Sequence, residues 1–337
     1  MQSIIISDPP PERRHKLLRN SFVSERLKIR RGRAIAPSKH DYTAYRRINQ
    51  AVTAGYGGVF ILKEKIFDIH THIYPENIAE RAAVNLGNFY NFHVEGKGTY
   101  SDLERQGGEA GVCGFLLLGV ATNAHQTAHV NEFIAETVRQ SCERGYRTVG
   151  FMGMHQDCPD FAEELDRGRR LGLRGVKIHP DIQGVNIDDP RLYELYSLVE
   201  GEMPVYFHMG DDRPQYRYSA PERLVRVLKD FPRLVVGAAH FGGYKAWDEA
   251  VPLLRGRERV WFDTSSALWA MSASRAREIV SQLGCERLMF GTDYPVTETA
   301  EEIRLFDRLG LGDKEREDVL WNNAQRFLDL DGTGDTV

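Results

Sequence analysis

The stretch IFDIHTH, residues 66–72, sets the reading of the whole chain. A short apolar run ends in two histidines spaced two apart. Side chains on a β-strand alternate at period two, so His70 and His72 project to the same face. Two such imidazoles are a ready clamp for a divalent ion. The bland alternative, two polar residues filling the interior, leaves buried imidazoles without partners and is costly. Seven more apolar runs of this kind follow: VCGFLLLGV (112–120), RTVGFMGMH (147–155), RGVKIHP (174–180), PVYFHMG (204–210), LVVGAAH (234–240), RVWFDTSS (259–266) and RLMFGTDYP (287–295).

Helix-like segments lie between the runs, at 131–144, 160–171, 191–200, 221–230, 244–254 and 272–283. Three carry start signals: Asp160, Asp189 before Pro190, and Ser219 shortly before Pro221. Eight strand–helix alternations predict an α/β protein, a (β/α)8 TIM barrel over residues 66–330. The rival is an open doubly wound sheet, but no GxGxxG follows the first strand and no GxxxxGK[ST] occurs.

Residues 1–65 read as a basic N-terminal extension. Its first forty residues hold ten Lys and Arg against three acids, a net +7, while the whole chain is at −4, so the rest carries −11. Leu17, Leu18, Phe22, Val23, Leu27 and Ile29 have loose helical spacing, and GYGG (55–58) reads as a turn. No nucleic-acid motif accompanies the basic stretch, so no nucleic-acid partner is expected; a homo-oligomer through this extension is. Hydrophobic residues at 42% and charged residues at 27% exclude a mainly disordered chain. No apolar run approaches the roughly 20 residues of a membrane span, and the start lacks the features of a secretory signal. The four cysteines, Cys113, Cys142, Cys158 and Cys285, form no CxxC, so a reducing cytoplasmic setting with buried thiols is expected.

Five of the eleven histidines fall at predicted strand ends: His70, His72, His179, His208 and His240; Asp293 ends the eighth run. In a (β/α)8 barrel these ends meet at one mouth. A third imidazole from His208 and the Asp293 carboxylate would complete a metal site with nitrogen and oxygen donors. Read blandly, His208 and His240 are buried strand caps and Asp293 a turn residue. Lys177 and His179 share an inward face and are candidate substrate contacts. So are Arg213 and Arg217, in the loop GDDRPQYRYSAPE (210–222), as grips for a substrate carboxylate. A solvated loop is the competing reading. The long first loop, 73–101, carries Tyr74, Tyr90, His93 and Tyr100 and reads as an aromatic lid.

FDIHTHIYP, GVKIHP, PVYFHMG, the segment from Phe231 to Gly243, FGTDYP and NNAQRFL (322–328), in this order, resemble the amidohydrolase superfamily. Within it they resemble the amidohydrolase-related branch, which includes aminocarboxymuconate-semialdehyde decarboxylase, aromatic-acid decarboxylases, lactonases and C–C hydrolases. The resemblance implies that His70, His72, His208 and Asp293 ligate one divalent ion, Zn2+ first and Mn2+ second, with no organic cofactor. It implies that His240 faces the substrate or metal-bound water, and that Asp293 also accepts that water's proton. Some superfamily members carry a carboxylated lysine on the fourth strand, where Lys177 lies; here a contact to a charged substrate is preferred. The expected activity is metal-dependent hydrolysis of a small anionic acyl, lactone or amide substrate through metal-activated water. The alternative is non-oxidative decarboxylation of an aromatic or muconate-like acid. The extension departs from the branch, whose members begin near the HxH.

Overall fold

The computed structural model describes residues 64–330. The basic stretch, its helical spacing and the GYGG turn lie outside the described residues. Eight strands appear where the eight apolar runs stand: β1 (Ile66–Thr71), β2 (Val112–Leu118), β3 (Arg147–Gly153), β4 (Val176–Ile178), β5 (Val205–Phe207), β6 (Val236–Ala238), β7 (Val260–Asp263) and β8 (Leu288–Met289). Each pairs parallel with the next, in sequence order. Backbone bonds from the chain following β8 bring it back to β1: Ile69 N–H donates to Phe290 O (3.0 Å), Asp293 N–H to His70 O (2.9 Å) and His72 N–H to Tyr294 O (2.7 Å). The result is a (β/α)8 barrel whose last bonds place Asp293 beside the first strand's histidines.

Two apolar layers hold the barrel. The outer one lies between strands and helices, with Phe115, Leu117, Val176, Ile178, Leu195, Leu224, Ile279 and Phe306 fully or nearly buried. The inner one joins Phe67, Ile69, Leu116, Phe151, Tyr206 and Met289 to Phe327 and Leu328 of the closing segment. The β1–β2 register shifts between Asp68 and Thr71. Asp68 takes part in that irregularity, accepting from His70 N–H (3.2 Å), Thr292 N–H (3.0 Å) and the Thr292 hydroxyl (2.7 Å). It ties β1 to the end of β8 and does not offer its carboxylate to the site.

The helices follow the expected segments, with corrections. Asp160 and Asp189 cap as expected, accepting from Glu163 N–H (2.8 Å) and Arg191 N–H (3.0 Å). Ser219 does not cap: its hydroxyl accepts from Gly210 N–H (3.0 Å), and Ala220 precedes the Pro221 helix. The segment expected from Tyr244 becomes helical only at Trp247. Residues 73–101 are not simply a loop, because Ala79–Tyr90 is a twelve-residue helix. The thiols are not buried as expected: Cys113 and Cys142 are exposed, Cys158 and Cys285 half-buried. No helix among the described residues is long and apolar enough to cross a membrane.

Asp102 illustrates how the first loop is held. Its carboxylate accepts from Lys97 N–H (3.1 Å), the Gln106 amide (2.9 Å), the Arg105 guanidinium (2.8 Å) and the Tyr294 hydroxyl (3.0 Å). Burial opposes ionisation, but these donors outweigh it and hold the carboxyl below its ordinary value. A group with a depressed folded pKa stabilises the fold above its unfolded pKa and loses that contribution as pH falls through the folded one. Asp102→Ala is therefore expected to cost about 1–3 kcal/mol in urea unfolding at pH 7. The difference from the parent should shrink on acidification below pH 4; a difference independent of pH would contradict the ionised hub.

Candidate metal centre

The site is built at the ends of β1, β5, β6 and β7 and just beyond β8. Four of its residues have left-handed backbone: His240 (φ 60°), Phe241 (φ 54°), Ser266 (φ 51°) and Asp293 (φ 58°). Non-glycine residues adopt this region at a cost and hold it where the surrounding structure enforces it, which is common at functional sites. Gly210, just after His208, has φ 76°, and a Cβ there would stand 2.6 Å from Gly243 backbone. That close approach of two loops carries His208 to His240.

His70 Nε2 and His72 Nε2 are 3.2 Å apart. His72 Nδ1 lies 2.9 Å from Leu118 O, and a carbonyl can only accept, so Nδ1 carries the proton. His70 Nδ1 lies 2.9 Å from Asp263 Oδ2, which fixes the same tautomer. Burial pushes His70 down to about 4 and His72 well below its ordinary value, with Lys177 adding to both. Two neutral rings thus aim bare lone pairs at each other. Asp293 Oδ1 joins them, 3.3 Å from His70 Nε2 and 3.7 Å from His72 Nε2. Ligands bonded at about 2.0–2.2 Å to one ion stand about 3.0–3.6 Å apart, so this donor set fits a divalent cation. His70, His72 and Asp293 are the residues that could hold it.

Asp263, at the end of β7, was not singled out from sequence. Its carboxylate accepts from His70 Nδ1, from the Tyr206 hydroxyl, from His240 N–H (3.0 Å), from Ser265 N–H (3.0 Å) and from the Ser265 hydroxyl (2.6 Å). Burial would raise its pKa, but His70, His240 and Ser265 prevail and hold it far below the carboxylate range. An ionised Asp263 fixes His70's tautomer and ring orientation and the backbone of His240 together. Its place at a strand end, in WFDTSS, was the available signal.

His208 lies one ring further on. Its Nδ1 is 3.0 Å from His240 Nε2, and its Nε2 is 3.1 Å from the Tyr90 hydroxyl and 3.2 Å from Asp181 Oδ2. It belongs to neither of the two donor clusters among the described residues, His70–His72–Asp293 and His70–His240–Asp263. His240 donates Nδ1–H to Ser265 O (2.8 Å), leaving Nε2 as the acceptor from His208. Burial pushes both rings down to about 3, so both are neutral. His179 stacks on His208 at 4.3 Å and lines the cavity. Burial raises Asp293, and its Oδ2 accepts from the Ser266 hydroxyl (2.6 Å).

Three expected substrate contacts are placed elsewhere. Lys177 is fully buried, with Nζ 3.4 Å from His70 Nε2 and 5.0 Å from the Tyr206 ring centre. It lies beside His70, outside the cavity wall, and burial pushes its pKa down to about 8. Arg213 is consumed by Asp211 (2.7 Å) and Phe89 O (2.6 Å), and stacks on Tyr216 at 3.9 Å. Arg217 pairs on the surface with Glu222 and Glu249. Neither arginine lines the cavity, because nearby carboxylates already satisfy both. Of the expected lid, Tyr74 and Tyr90 line the cavity; Tyr100 instead donates to Ser141, and His93 is exposed beside Glu95.

The cavity above the cluster measures about 550 Å³. Its floor is His72, His179, His208, His240 and Asp293. Its walls are mostly apolar, with Arg81, Asn85, Gln126 and His129 among them, and come largely from the Ala79–Tyr90 helix and the Thr127–Glu143 helix.

Comparison with known proteins agrees with this architecture. The amidohydrolase family model matches residues 67–330. The 2-amino-3-carboxymuconate-6-semialdehyde decarboxylase of Dictyostelium discoideum is 26% identical over 60% of this chain and 66% of its own length. The Caenorhabditis elegans enzyme of the same name is 31% identical over 44% of each. The chain thus spans less than two thirds of the length of these curated relatives. An uncharacterized TIM-barrel protein of Bordetella bronchiseptica superimposes with a TM-score of 0.65 at 21% identity, covering 80% of this chain and 99% of that one. A manganese-bound dihydroxybenzoic acid decarboxylase of Polaromonas does so at 0.60 and 16%, covering 80% and 98%. At these identities the two structures speak for the fold. With its family match running from the HxH strand to the closing segment, the chain belongs to the amidohydrolase family, on the amidohydrolase-related branch that includes aminocarboxymuconate-semialdehyde decarboxylase.

Proposed function

We propose that this protein is a metal-dependent, non-oxidative decarboxylase of an aromatic or similarly unsaturated carboxylic acid. The sequence favoured hydrolysis and kept decarboxylation second; the curated decarboxylase relatives reverse that order. The observation that carries the reading is the cavity: aromatic and aliphatic side chains wall a space that ends on His72, His240 and Asp293. Such walls suit a planar, largely apolar body with one polar end.

His70, His72 and Asp293 would hold one divalent ion, Zn2+ or Mn2+; His208, also expected as a ligand, has both ring nitrogens engaged, by His240 and by the Tyr90 hydroxyl. When bound, the ion supplies a positive charge that fixes the substrate's carboxylate and an adjacent oxygen. The chain's own residues do the rest. His240, neutral and locked by Ser265, presents a ring of fixed tautomer at the floor. Tyr90 and His208 extend that hydrogen-bond chain toward the cavity. Asp293 accepts from the Ser266 hydroxyl through Oδ2 and keeps Oδ1 turned toward His70 and His72 for the ion. A proton taken up from solvent through the Tyr90–His208–His240 chain forms the new C–H bond as the C–C bond breaks and CO2 leaves.

The test is a panel of hydroxybenzoic, carboxyvanillic and muconate-like acids beside lactones and amides, with the metal-loaded protein. CO2 release from at least one acid, without lactone or amide cleavage, is expected. Hydrolysis without CO2 release would overturn the reading.

A further inference from the structure

Arg81 lies on the Ala79–Tyr90 helix, lines the cavity and is exposed. No other lysine or arginine among the described residues lines that cavity, and Asp293, at the floor, is its one carboxylate. Arg81 has no hydrogen-bond or ion-pair partner among the described residues. That sets it apart from Arg213 and Arg217, which carboxylates neutralise. Tyr90, nine residues further along the same helix, meets His208 at the floor (3.1 Å), which sets Arg81 about 13 Å from it along the helix axis. The lining is mostly apolar, with Ile78, Leu86, Phe89, Val130 and Phe133 beside Asn85 and Gln126. A volume of about 550 Å³ falls within the roughly 300–1,000 Å³ of sites that enclose drug-sized molecules, and is more than a single-ring acid fills.

We propose that Arg81 is a specificity-determining residue that grips a second acidic group of an elongated substrate. The first carboxylate of that substrate sits at the His70–His72–Asp293 end, and an apolar ring system spans the space between. An unpaired guanidinium can take a carboxylate through two parallel N–H bonds, and the apolar walls make a mid-body charge unfavourable while leaving the far end free to carry one. The assignment deepens the decarboxylase reading by naming the substrate as a diacid, yet it concerns binding and does not require turnover.

The experiment compares matched acids on the full-length, metal-loaded protein by calorimetry: benzoate with terephthalate, 2-naphthoate with naphthalene-2,6-dicarboxylate, and 4-phenylbenzoate with biphenyl-4,4′-dicarboxylate. In at least one of the longer pairs the diacid is expected to bind at least tenfold more tightly than the monoacid. Arg81→Ala should erase that preference while leaving the monoacid's Kd unchanged. Alanine suits a helix, and Arg81 has no partner to lose among the described residues, so the variant should fold; its melting temperature checks this. No diacid preference in any pair, or a preference that survives Arg81→Ala, overturns the proposal. CO2 is measured separately on the same samples. An Arg81-dependent preference without any decarboxylation would overturn the activity and leave the binding assignment standing.

Discussion

Asp293→Asn is expected to lower turnover by at least about 10³-fold while the protein keeps its fold. Asp293 is placed by the bond from its N–H to His70 O and by Ser266, and asparagine can keep both contacts. What it cannot keep is the anionic Oδ1 that faces His70 and His72 at 3.3 and 3.7 Å. Losing a charged ligand removes several kcal/mol of stabilisation, and about 4 kcal/mol corresponds to 10³ in rate. Steady-state kinetics with saturating metal, alongside circular dichroism, makes the measurement. Near-parental turnover in the folded variant would show that Asp293 is a turn residue and no part of the chemistry.

Asp263→Asn should weaken metal binding about 10–100-fold, the usual effect of removing a carboxylate behind a ligating histidine. The reason lies in the tautomer. Asp263 is surrounded by donors: His70 Nδ1–H, the Tyr206 hydroxyl, His240 N–H, Ser265 N–H and the Ser265 hydroxyl. An asparagine brings two N–H groups into that ring of donors, so one of them must face a donor or turn His70. Turning His70 to its other tautomer puts a proton on Nε2, the atom aimed at His72. A chelator competition titration reads the affinity, and the nitrogen chemical shifts of His70 read the tautomer. Unchanged affinity with His70 still protonated at Nδ1 would remove Asp263 from the metal centre.

Most of the barrel could be read from the sequence because each strand announces itself as a short apolar run ending in polar residues. Even two-residue β8 was visible through RLMFGTDYP. The HxH pair was legible because period two puts both rings on one face, and the register shift that sets Asp68 apart from the site leaves that pair together. Less was legible where side chains choose partners. Arg213 and Arg217 look like carboxylate grips in sequence, but Asp211 lies two residues from Arg213, and Glu222 and Glu249 reach Arg217 across the fold. Lys177's inward face was correct by parity, yet depth along β4 puts its amine against His70 and away from the cavity. The Ala79–Tyr90 helix is masked in the sequence by the aromatic residues of 73–101, although Ile78, Ala82, Leu86 and Phe89 keep helical spacing. Arg81 was hidden with it.

Two imidazoles and one carboxylate are expected to enclose a cation at the barrel mouth. Anomalous diffraction from crystals of the full chain grown with Mn2+ tests it most directly. One peak per chain is expected, within bonding distance of His70 Nε2, His72 Nε2 and an Asp293 carboxylate oxygen. A chain that turns over substrate yet shows no peak there, or carries its ion on other residues, would contradict it.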